Sequence, residues 1–123
     1  MLRRTILSVA ALLAVSVPAV LSAAPAKPKS VIHVVTVKWN ASATPAQIDA
    51  AIKGVETMDF PGLKNVWTKP IKMQLQEGYK HIIVMEFESE AALQKYSGSP
   101  AQKKWYELYM PIREESRTHD ITN

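Results

Sequence analysis

The sequence predicts an α+β fold of the ferredoxin-like type, in which an antiparallel sheet carries both helices on one face. Three observations predict it: two β-branched or alternating runs at residues 30–39 and 80–88, two apolar helical stripes that follow hydroxyl-containing caps, and an element order of β-α-β-β-α-β. Because the first strand is apolar on both faces, we expect two such chains to pack as a dimeric α+β barrel.

The first strand is predicted over residues 30–39, SVIHVVTVKW, because β-branched residues dominate this run. One face of the strand carries Val31, His33, Val35, Val37 and Trp39, and the other carries Ile32, Val34, Thr36 and Lys38. Both faces are largely apolar, so we expect both to be covered.

The first helix is predicted to begin at residues 44–47, TPAQ. Thr44 can cap the helix, Pro45 suits its first turn, and Gln47 can reach back to the N–H of the cap. The apolar stripe of this helix consists of Ile48, Ala51, Ile52, Val55 and Met58. Residues 60–62, FPG, end the helix, and the alternation of residues 63–69 predicts a second strand.

Residues 80–88, KHIIVMEFE, alternate most clearly and predict the third strand. Ser89 is predicted to cap the following helix, which residues 97–98 (Ser-Gly) interrupt. A new helical segment is expected from residues 99–102, SPAQ, which repeat the capping pattern of TPAQ. Residues 116–122 predict a short last strand.

One face of this sheet has no helix to cover it. The residues expected there are Ile32, Val34, Thr36, Ile82 and Val84. They form a patch too apolar to remain in water, so we expect sheet-to-sheet packing in a homodimer.

The N-terminus has the layout of a secretory signal peptide, with Arg3 and Arg4, an apolar run over residues 6–21, and small residues before the exit. Cleavage is predicted after Ala26, with Ala24 as the second candidate, so that residues 1–26 are the leader and residues 27–123 the single mature domain. The alternative is an uncleaved membrane anchor, although the run is short for a span of roughly 20 residues. A periplasmic location, without stable membrane insertion after cleavage, is expected.

Charge and cysteine content narrow the function further. The chain carries a formal charge of +4, of which the leader contributes two charges, and so small an excess does not point to nucleic acid. There is no Cys, which excludes disulfides, a thiolate nucleophile and a zinc–thiolate site.

Histidines are the candidates for acid–base chemistry. His33 and His81 each begin a strand on its helix-facing side, and we expect them to converge at one end of the space between sheet and helices if their strands are neighbours. The alternative is a pair of core-edge histidines that bond to backbone or to a tyrosine. No third His or carboxylate has ligand spacing, so no metal site is predicted. His119, in the polar tail, is expected to be solvated.

Aromatic residues follow the broken second helix at Tyr96, Trp105, Tyr106 and Tyr109. They either fill the core or line an apolar pocket that holds a small compound. The predicted ligand contacts are His33, Val35, Val37, His81, Ile83, Tyr96 and Trp105. Of these, His33, His81 and Tyr96 are also the catalytic candidates.

Three segments together resemble the stress-responsive A/B barrel (Dabb) family: VIHVVTVKW at residues 31–39, GYKHIIVMEFES at residues 78–89, and YSGSPAQKKW at residues 96–105. Asp120 also stands where the family's last strand usually carries an Asp. The resemblance covers about residues 30–120 and implies a dimeric α+β barrel. It implies less about activity, because the family includes stress-induced plant proteins, bacterial proteins of unknown role, and a plant polyketide cyclase that uses no cofactor.

In that cyclase, a Tyr and a His of the second helix act as the catalytic acid and base, within the family pattern Tyr-x-x-His-Pro-Ala-His. Tyr96 matches the Tyr, but Ser99 and Gln102 stand at the two His positions, and neither exchanges protons near neutral pH as imidazole does. The resemblance therefore does not extend to that mechanism. His33 and His81 match the family's other two histidines.

The leading hypothesis is an exported, non-catalytic homodimer that binds a small apolar or aromatic compound between sheet and helices. The alternative is a cofactor-independent enzyme, cyclase-like or monooxygenase-like, that uses His33, His81 and Tyr96. A purely structural or protein-interaction role is the third possibility. No cofactor is predicted for any of them.

Overall fold

The structure is a computed structural model, and it describes residues 10–18 and 24–123. The strands are β1 (Val31–Trp39), β2 (Leu63–Trp67), β3 (His81–Phe87) and β4 (Arg113–Ile121), and the helices are α1 (Pro45–Glu56), α2 (Glu90–Tyr96) and α3 (Pro100–Tyr109), followed by the 3₁₀ turn Met110–Ile112. The order β-α-β-β-α-β is confirmed, with the second helix divided in two. The predicted ferredoxin-like α+β fold is correct.

The four strands form one antiparallel sheet in the order β2-β3-β1-β4. β1 lies in the middle and pairs with both β3 and β4. β4 is longer than the expected strand at residues 116–122, since it begins at Arg113, directly after the 3₁₀ turn. It lacks an apolar alternation because it is an edge strand whose helix-facing side chains are polar, so the hydrophobic pattern gave only a weak signal for it.

The core lies between the sheet and the helices. Its sheet side consists of Val31, Val35, Val37, Trp39, Ile83, Met85 and Phe87, and its helix side includes Ala51, Val55, Ala92, Tyr96, Trp105 and Tyr109. Trp105 stacks on Tyr109 with ring centroids 4.4 Å apart, and its indole N–H donates to the carbonyl of Ala51 over 2.8 Å. This bond ties α3 to α1 and satisfies the one polar atom of a buried indole.

Of the three predicted helix caps, Ser89 accepts from the N–H of Ala92 at α2, and the caps of α1 and α3 differ from each other. At α1, the Thr44 hydroxyl accepts from the N–H of Gln47 and the Gln47 side chain accepts from the N–H of Thr44, which completes the predicted capping box. At α3, the Ser99 hydroxyl accepts from the N–H of Gln102, but the Gln102 side chain accepts from the N–H of Gly98 over 2.6 Å. The prediction of a closed box at Ser99 is therefore wrong, because the N–H of Ser99 already donates to the carbonyl of Tyr96.

The face of the sheet away from the helices is only partly covered in a single chain. The register places Val34 of β1 between Val84 of β3 and His119 of β4 on this face, and Val84 also pairs with Trp67, whose side chain is half exposed. Residues Gln74, Leu75, Gln76 and Tyr79 line a shallow space on this face together with Thr36, Arg117 and His119. The face therefore carries an apolar centre within reach of solvent.

The predicted leader lies partly outside the described residues, since residues 1–9 and 19–23 are not among them. Its described residues form no helix or strand, and they are exposed. Within residues 10–18 and 24–123, no helix is long and apolar enough to cross a bilayer.

Two glycines with positive φ provide a matched test of the packing. Gly62 (φ +94°) precedes β2, and a Cβ there would lie 2.9 Å from that of Ala92, whereas Gly98 (φ +77°) has no atom within 4 Å of its Cβ position. We expect Gly98→Ala to lower the free energy of unfolding by about 1 kcal/mol, from backbone conformation alone. Gly62→Ala should lower the free energy of unfolding by roughly 1–3 kcal/mol more, because its Cβ would also overpack against Ala92. Urea denaturation measures both values, and equal losses would contradict close packing at Gly62.

Candidate functional site

A cavity of about 380 Å³ lies between the β4 side of the sheet and the helices α2 and α3. Its helix wall is mainly aromatic and consists of Leu93, Gln94, Tyr96, Ser97, Gln102, Trp105, Tyr106 and Tyr109. Its sheet wall is mainly polar and consists of His33, Val35, Arg113, Ser116, Thr118 and Asp120. The cavity therefore has one aromatic and one polar side.

The polar wall comes from the alternation of β4. Ser116, Thr118 and Asp120 pair with Val37, Val35 and His33, respectively, so they share the helix-facing side of the sheet with core residues of β1. Ser and Thr are compatible with an edge strand, and here their hydroxyls face a space instead of a packed core. The period-two spacing of polar residues at 116, 118 and 120 is the sequence signal that could have found this wall.

One end of the cavity holds a His–Asp pair. The Nδ1 atom of His33 lies 2.5 Å from Oδ1 of Asp120, across the β1–β4 pairing that sets these two residues opposite each other. An ionised carboxylate only accepts hydrogen bonds, so Nδ1 carries the proton and donates it. In neutral imidazole, Nε2 is then the acceptor. The pair can orient a ligand hydroxyl or accept a proton from one.

The ring of Tyr96 stands beside this pair. Its centroid lies 6.5 Å from that of His33 and 5.0 Å from that of Phe87. Burial, and to a lesser degree the neighbouring Tyr106, raises the pKa of Tyr96 far above its ordinary value, while the nearby Gln102 opposes the rise. The phenol therefore stays protonated near neutral pH, where it can donate a hydrogen bond but cannot serve as a base.

Gln102 has a role in the cavity as well as at the helix start. Its Oε1 accepts from the N–H of Gly98, and its Nε2 donates to the hydroxyl of Tyr106 over 3.1 Å. The amide thus fixes the Tyr106 ring on the cavity wall. The sequence-based interpretation of SPAQ as a helix start found the cap and missed this contact.

The other end of the cavity is cationic. The Nη1 atom of Arg113 donates to the Ser116 hydroxyl over 3.2 Å, and the guanidinium carbon lies 5.6 Å from the centre of the Tyr109 ring. The Tyr109 side chain is only 2% exposed, and its hydroxyl makes no hydrogen bond among the described residues. Burial raises the pKa of Tyr109, although Ser116 and Arg113 oppose the rise.

The expected convergence of His33 and His81 is wrong. Their strands are neighbours but run antiparallel, so His33 pairs with Met85 while His81 pairs with Val37, toward the other end of the sheet. His81 instead bonds to Trp39, whose indole N–H donates to its Nδ1 over 2.7 Å. Because an indole is a donor only, His81 is neutral with its proton on Nε2.

The other predicted contact residues divide between cavity and core. His33, Val35, Tyr96 and Trp105 line the cavity. Val37 and Ile83 are fully buried core residues and do not line it. Gln102, Arg113 and Thr118 line it without having been predicted as contacts. Within the described part of the chain, no group of three or more His, Cys, Asp or Glu side chains is arranged to hold a metal ion.

Comparisons with known proteins agree with this fold. The family model of the stress responsive A/B barrel domain (Dabb) matches residues 31–123, which confirms the resemblance that the sequence motifs indicated. No curated protein sequence matches the chain.

Solved structures of the same fold include proteins with and without a known activity. A dimeric ferredoxin-like protein of unknown function from Thermobifida fusca is 17% identical, with a TM-score of 0.66 over 78% of this chain and 92% of that one. Hydroxynitrile lyase from Passiflora edulis is 19% identical, with a TM-score of 0.67 over 76% of this chain and 93% of that one. SnoaB, a cofactor-independent oxygenase from Streptomyces nogalater, is 10% identical, with a TM-score of 0.60 over 77% of this chain and 93% of that one. At these identities the likeness concerns the fold.

The environment of His81 predicts a pH dependence of stability. Burial lowers the pKa of His81 below 6.5, and the charge of Asp49 only partly opposes this. As the pH falls through 6.5, His81 therefore becomes protonated in the unfolded chain while it is still neutral in the folded chain. The free energy of unfolding is highest above roughly pH 7.5 and falls progressively until the pH reaches the pKa of His81 in the folded chain.

We expect the free energy of unfolding to fall more steeply between pH 7.5 and 5.5, roughly, in the wild type than in His81→Gln. Gln does not titrate, and its amide oxygen can still accept the Trp39 indole N–H. Denaturant titrations at several pH values measure the two slopes. Parallel slopes would show that His81 titrates alike in the folded and unfolded states.

Proposed function

Because the chain belongs to the stress responsive A/B barrel domain family, and because its cavity has one aromatic and one polar side, we propose that it is an exported homodimer that binds a small apolar or aromatic compound between sheet and helices. The observation that carries the ligand proposal is the open space along β4, which aromatic rings bound on the helix side. Ligand sites combine such apolar walls with a few polar groups that fix orientation.

The size of the cavity limits the ligand. Binding clefts for drug-sized molecules occupy roughly 300–1,000 Å³, and this cavity lies near the lower end at about 380 Å³. The flat rings of Trp105 and Tyr109, stacked at 10° to each other, favour a planar compound. One or two fused rings with a polar substituent fit this description.

The homodimer proposal rests on the helix-free face of the sheet. Val34 and Val84 occupy the centre of this face, and Trp67 extends the apolar surface over β2. A second copy that packs its own sheet against this face would cover both surfaces at once, in a self-complementary contact. Dimeric proteins among the solved structures of this fold support the arrangement.

Export rests on the sequence of residues 1–26. The basic start, the apolar run and the small residues at Ala24 and Ala26 make a secretory leader. We infer that the mature chain begins near Lys27 and works in the periplasm.

The His33–Asp120 pair favours a second candidate function, a cofactor-independent enzyme. Asp120 fixes the ring so that Nε2 of His33 can take a proton, and Tyr96 can donate a hydrogen bond to a developing oxyanion. His81 does not belong to this candidate centre, because it lies outside the cavity. Two of the structures with this fold are enzymes, a hydroxynitrile lyase and a cofactor-independent oxygenase, which shows that the fold accommodates such chemistry.

Ligand binding is testable with 2-naphthol, a neutral planar probe. We expect isothermal titration calorimetry to detect 2-naphthol binding to the mature protein. Thr118→Trp, which fills the cavity from its sheet wall, should weaken binding at least about tenfold. Glu107→Trp, which adds the same ring to the exposed side of α3 outside the cavity, is the control and should bind as the wild type does. Equal affinity in all three proteins would place the site elsewhere.

The dimer is testable by light scattering. The mature wild type at micromolar concentration should have twice the mass of its chain. Val84→Lys should run as a monomer, because it places a charge at the centre of the helix-free face. Leu108→Lys, a matched apolar-to-Lys change at an exposed position of α3, should remain a dimer. A monomeric wild type would contradict the proposed assembly.

The enzymatic alternative is testable by proton exchange. His33 Nε2 would remove a proton from the methyl carbon of 2-acetylnaphthalene, the electron pair would pass to the ketone oxygen as an enolate, and a solvent deuteron would return to carbon. We expect NMR in D₂O to show exchange that slows about a hundredfold in His33→Gln and persists in His119→Gln. No acceleration by the wild type would eliminate this alternative and leave the binding proposal intact.

A further inference from the structure

We propose that the cavity selects an aromatic carboxylate, and that Arg113, Ser116 and Tyr109 form the subsite for its anionic group. The inference rests on the proposed ligand-binding function and adds the chemical class of the ligand. It comes from three polar groups at the α3 end of the cavity whose hydrogen-bonding capacity the folded chain uses only in part.

Arg113 has no carboxylate partner in the part of the chain that the structure describes. The other charged side chains of β4 each have a partner. Glu114 lies 3.6 Å from Lys38, Arg117 lies 3.8 Å from Glu115, and Asp120 accepts a hydrogen bond from His33 over 2.5 Å. Among the described residues, no Asp or Glu oxygen lies within 4.0 Å of Arg113, whose side chain contacts the Ser116 hydroxyl and the Tyr109 ring. Its planar fork of donors is suited to a carboxylate.

Tyr109 contributes an unused donor. The Tyr109 side chain lines the cavity, and its buried hydroxyl has no hydrogen-bond partner among the described residues, which is unfavourable for a buried donor. Because burial raises the pKa of Tyr109, the hydroxyl stays protonated and can donate to a ligand oxygen. A carboxylate bound at this end would satisfy it.

Ser116 completes the donor set. Its hydroxyl oxygen already accepts from Arg113, so its own proton remains available to a second acceptor. The guanidinium, the phenol and the hydroxyl thus offer three kinds of donor at one end of the cavity and no acceptor of matching charge. This combination favours an anion over a neutral group.

The opposite end of the cavity limits the ligand to one anionic group. Asp120 lies there beside His33, and its charge would repel a second carboxylate. From Ser116 to Asp120, β4 advances four residues, about 13 Å, which leaves room for a fused ring system between the two ends. A hydroxyl at the far edge of the ring would reach the imidazole of His33. A hydroxylated aromatic acid therefore matches both ends.

Two compounds that differ only in the carboxylate test the subsite. The probes are 6-hydroxy-2-naphthoate and 2-naphthol, titrated calorimetrically into the mature wild type at fixed ionic strength. We expect the acid to bind at least about tenfold tighter than 2-naphthol. Arg113→Gln should remove this advantage, because it should lower the affinity for the acid at least about tenfold more than the affinity for 2-naphthol.

Two further variants separate the subsite from general effects of charge and folding. Arg117→Gln removes the same charge from the other face of the same strand and should preserve the preference for the acid. Tyr109→Phe keeps the ring and removes the hydroxyl, so it should weaken binding of the acid more than binding of 2-naphthol, without lowering the melting temperature. It provides the test if Arg113→Gln fails to fold.

The outcomes distinguish this inference from the function on which it rests. Equal affinities for the two probes would overturn the carboxylate subsite and leave the aromatic cavity intact. An equal loss of acid binding in Arg117→Gln and Arg113→Gln would also overturn it, since the effect would then be one of net charge. Failure of both probes to bind would overturn the ligand-binding function together with the subsite.

Discussion

The antiparallel pairing of β1 with both β3 and β4 is the constraint on which the rest of the structure depends. It makes β1 the centre of the sheet, so that its backbone is hydrogen-bonded along both edges and its two faces must both be covered. The helices cover one face through Trp105, Tyr109 and their neighbours. The other face keeps Val34 at its centre, and this apolar centre is the physical reason for proposing a second chain.

The same pairing creates the cavity. β4 is an edge strand, and the side chains that it turns toward the helices are hydroxyls and charges instead of aliphatic groups. They do not fill the space beside β1 as apolar side chains would. The aromatic residues of α3 do not fill it either, because Trp105 and Tyr109 stack on each other and the Trp105 indole is hydrogen-bonded to α1. The result is a space with an aromatic side, a polar side, and opposite charges at its two ends.

The sequence predicted the parts of the molecule that local chemistry determines. Strand β1, the capping box at Thr44, the break after Tyr96 and the element order followed from periodicity, capping and turn residues. The start of β4 and its polar wall did not, because a strand that faces a cavity has no apolar alternation to detect. The separation of His33 from His81 depends on strand direction, since antiparallel neighbours begin at opposite ends of a sheet. The pairing of His33 with Asp120 likewise depends on register, which composition does not reveal.

The space between β4 and the helices α2 and α3 is the proposed binding site. Nuclear magnetic resonance tests it most directly, because the Gln102 side chain bonds to the N–H of Gly98 at the cavity wall. Addition of 2-naphthol to ¹⁵N-labelled protein of residues 27–123 should shift the Gln102 side-chain amide and the Gly98 backbone amide. The Gln47 side chain, which belongs to the α1 cap, and the Trp39 indole should not move. Shifts confined to Gln74 and Arg117 on the helix-free face, or no shifts at saturating probe, would contradict the account.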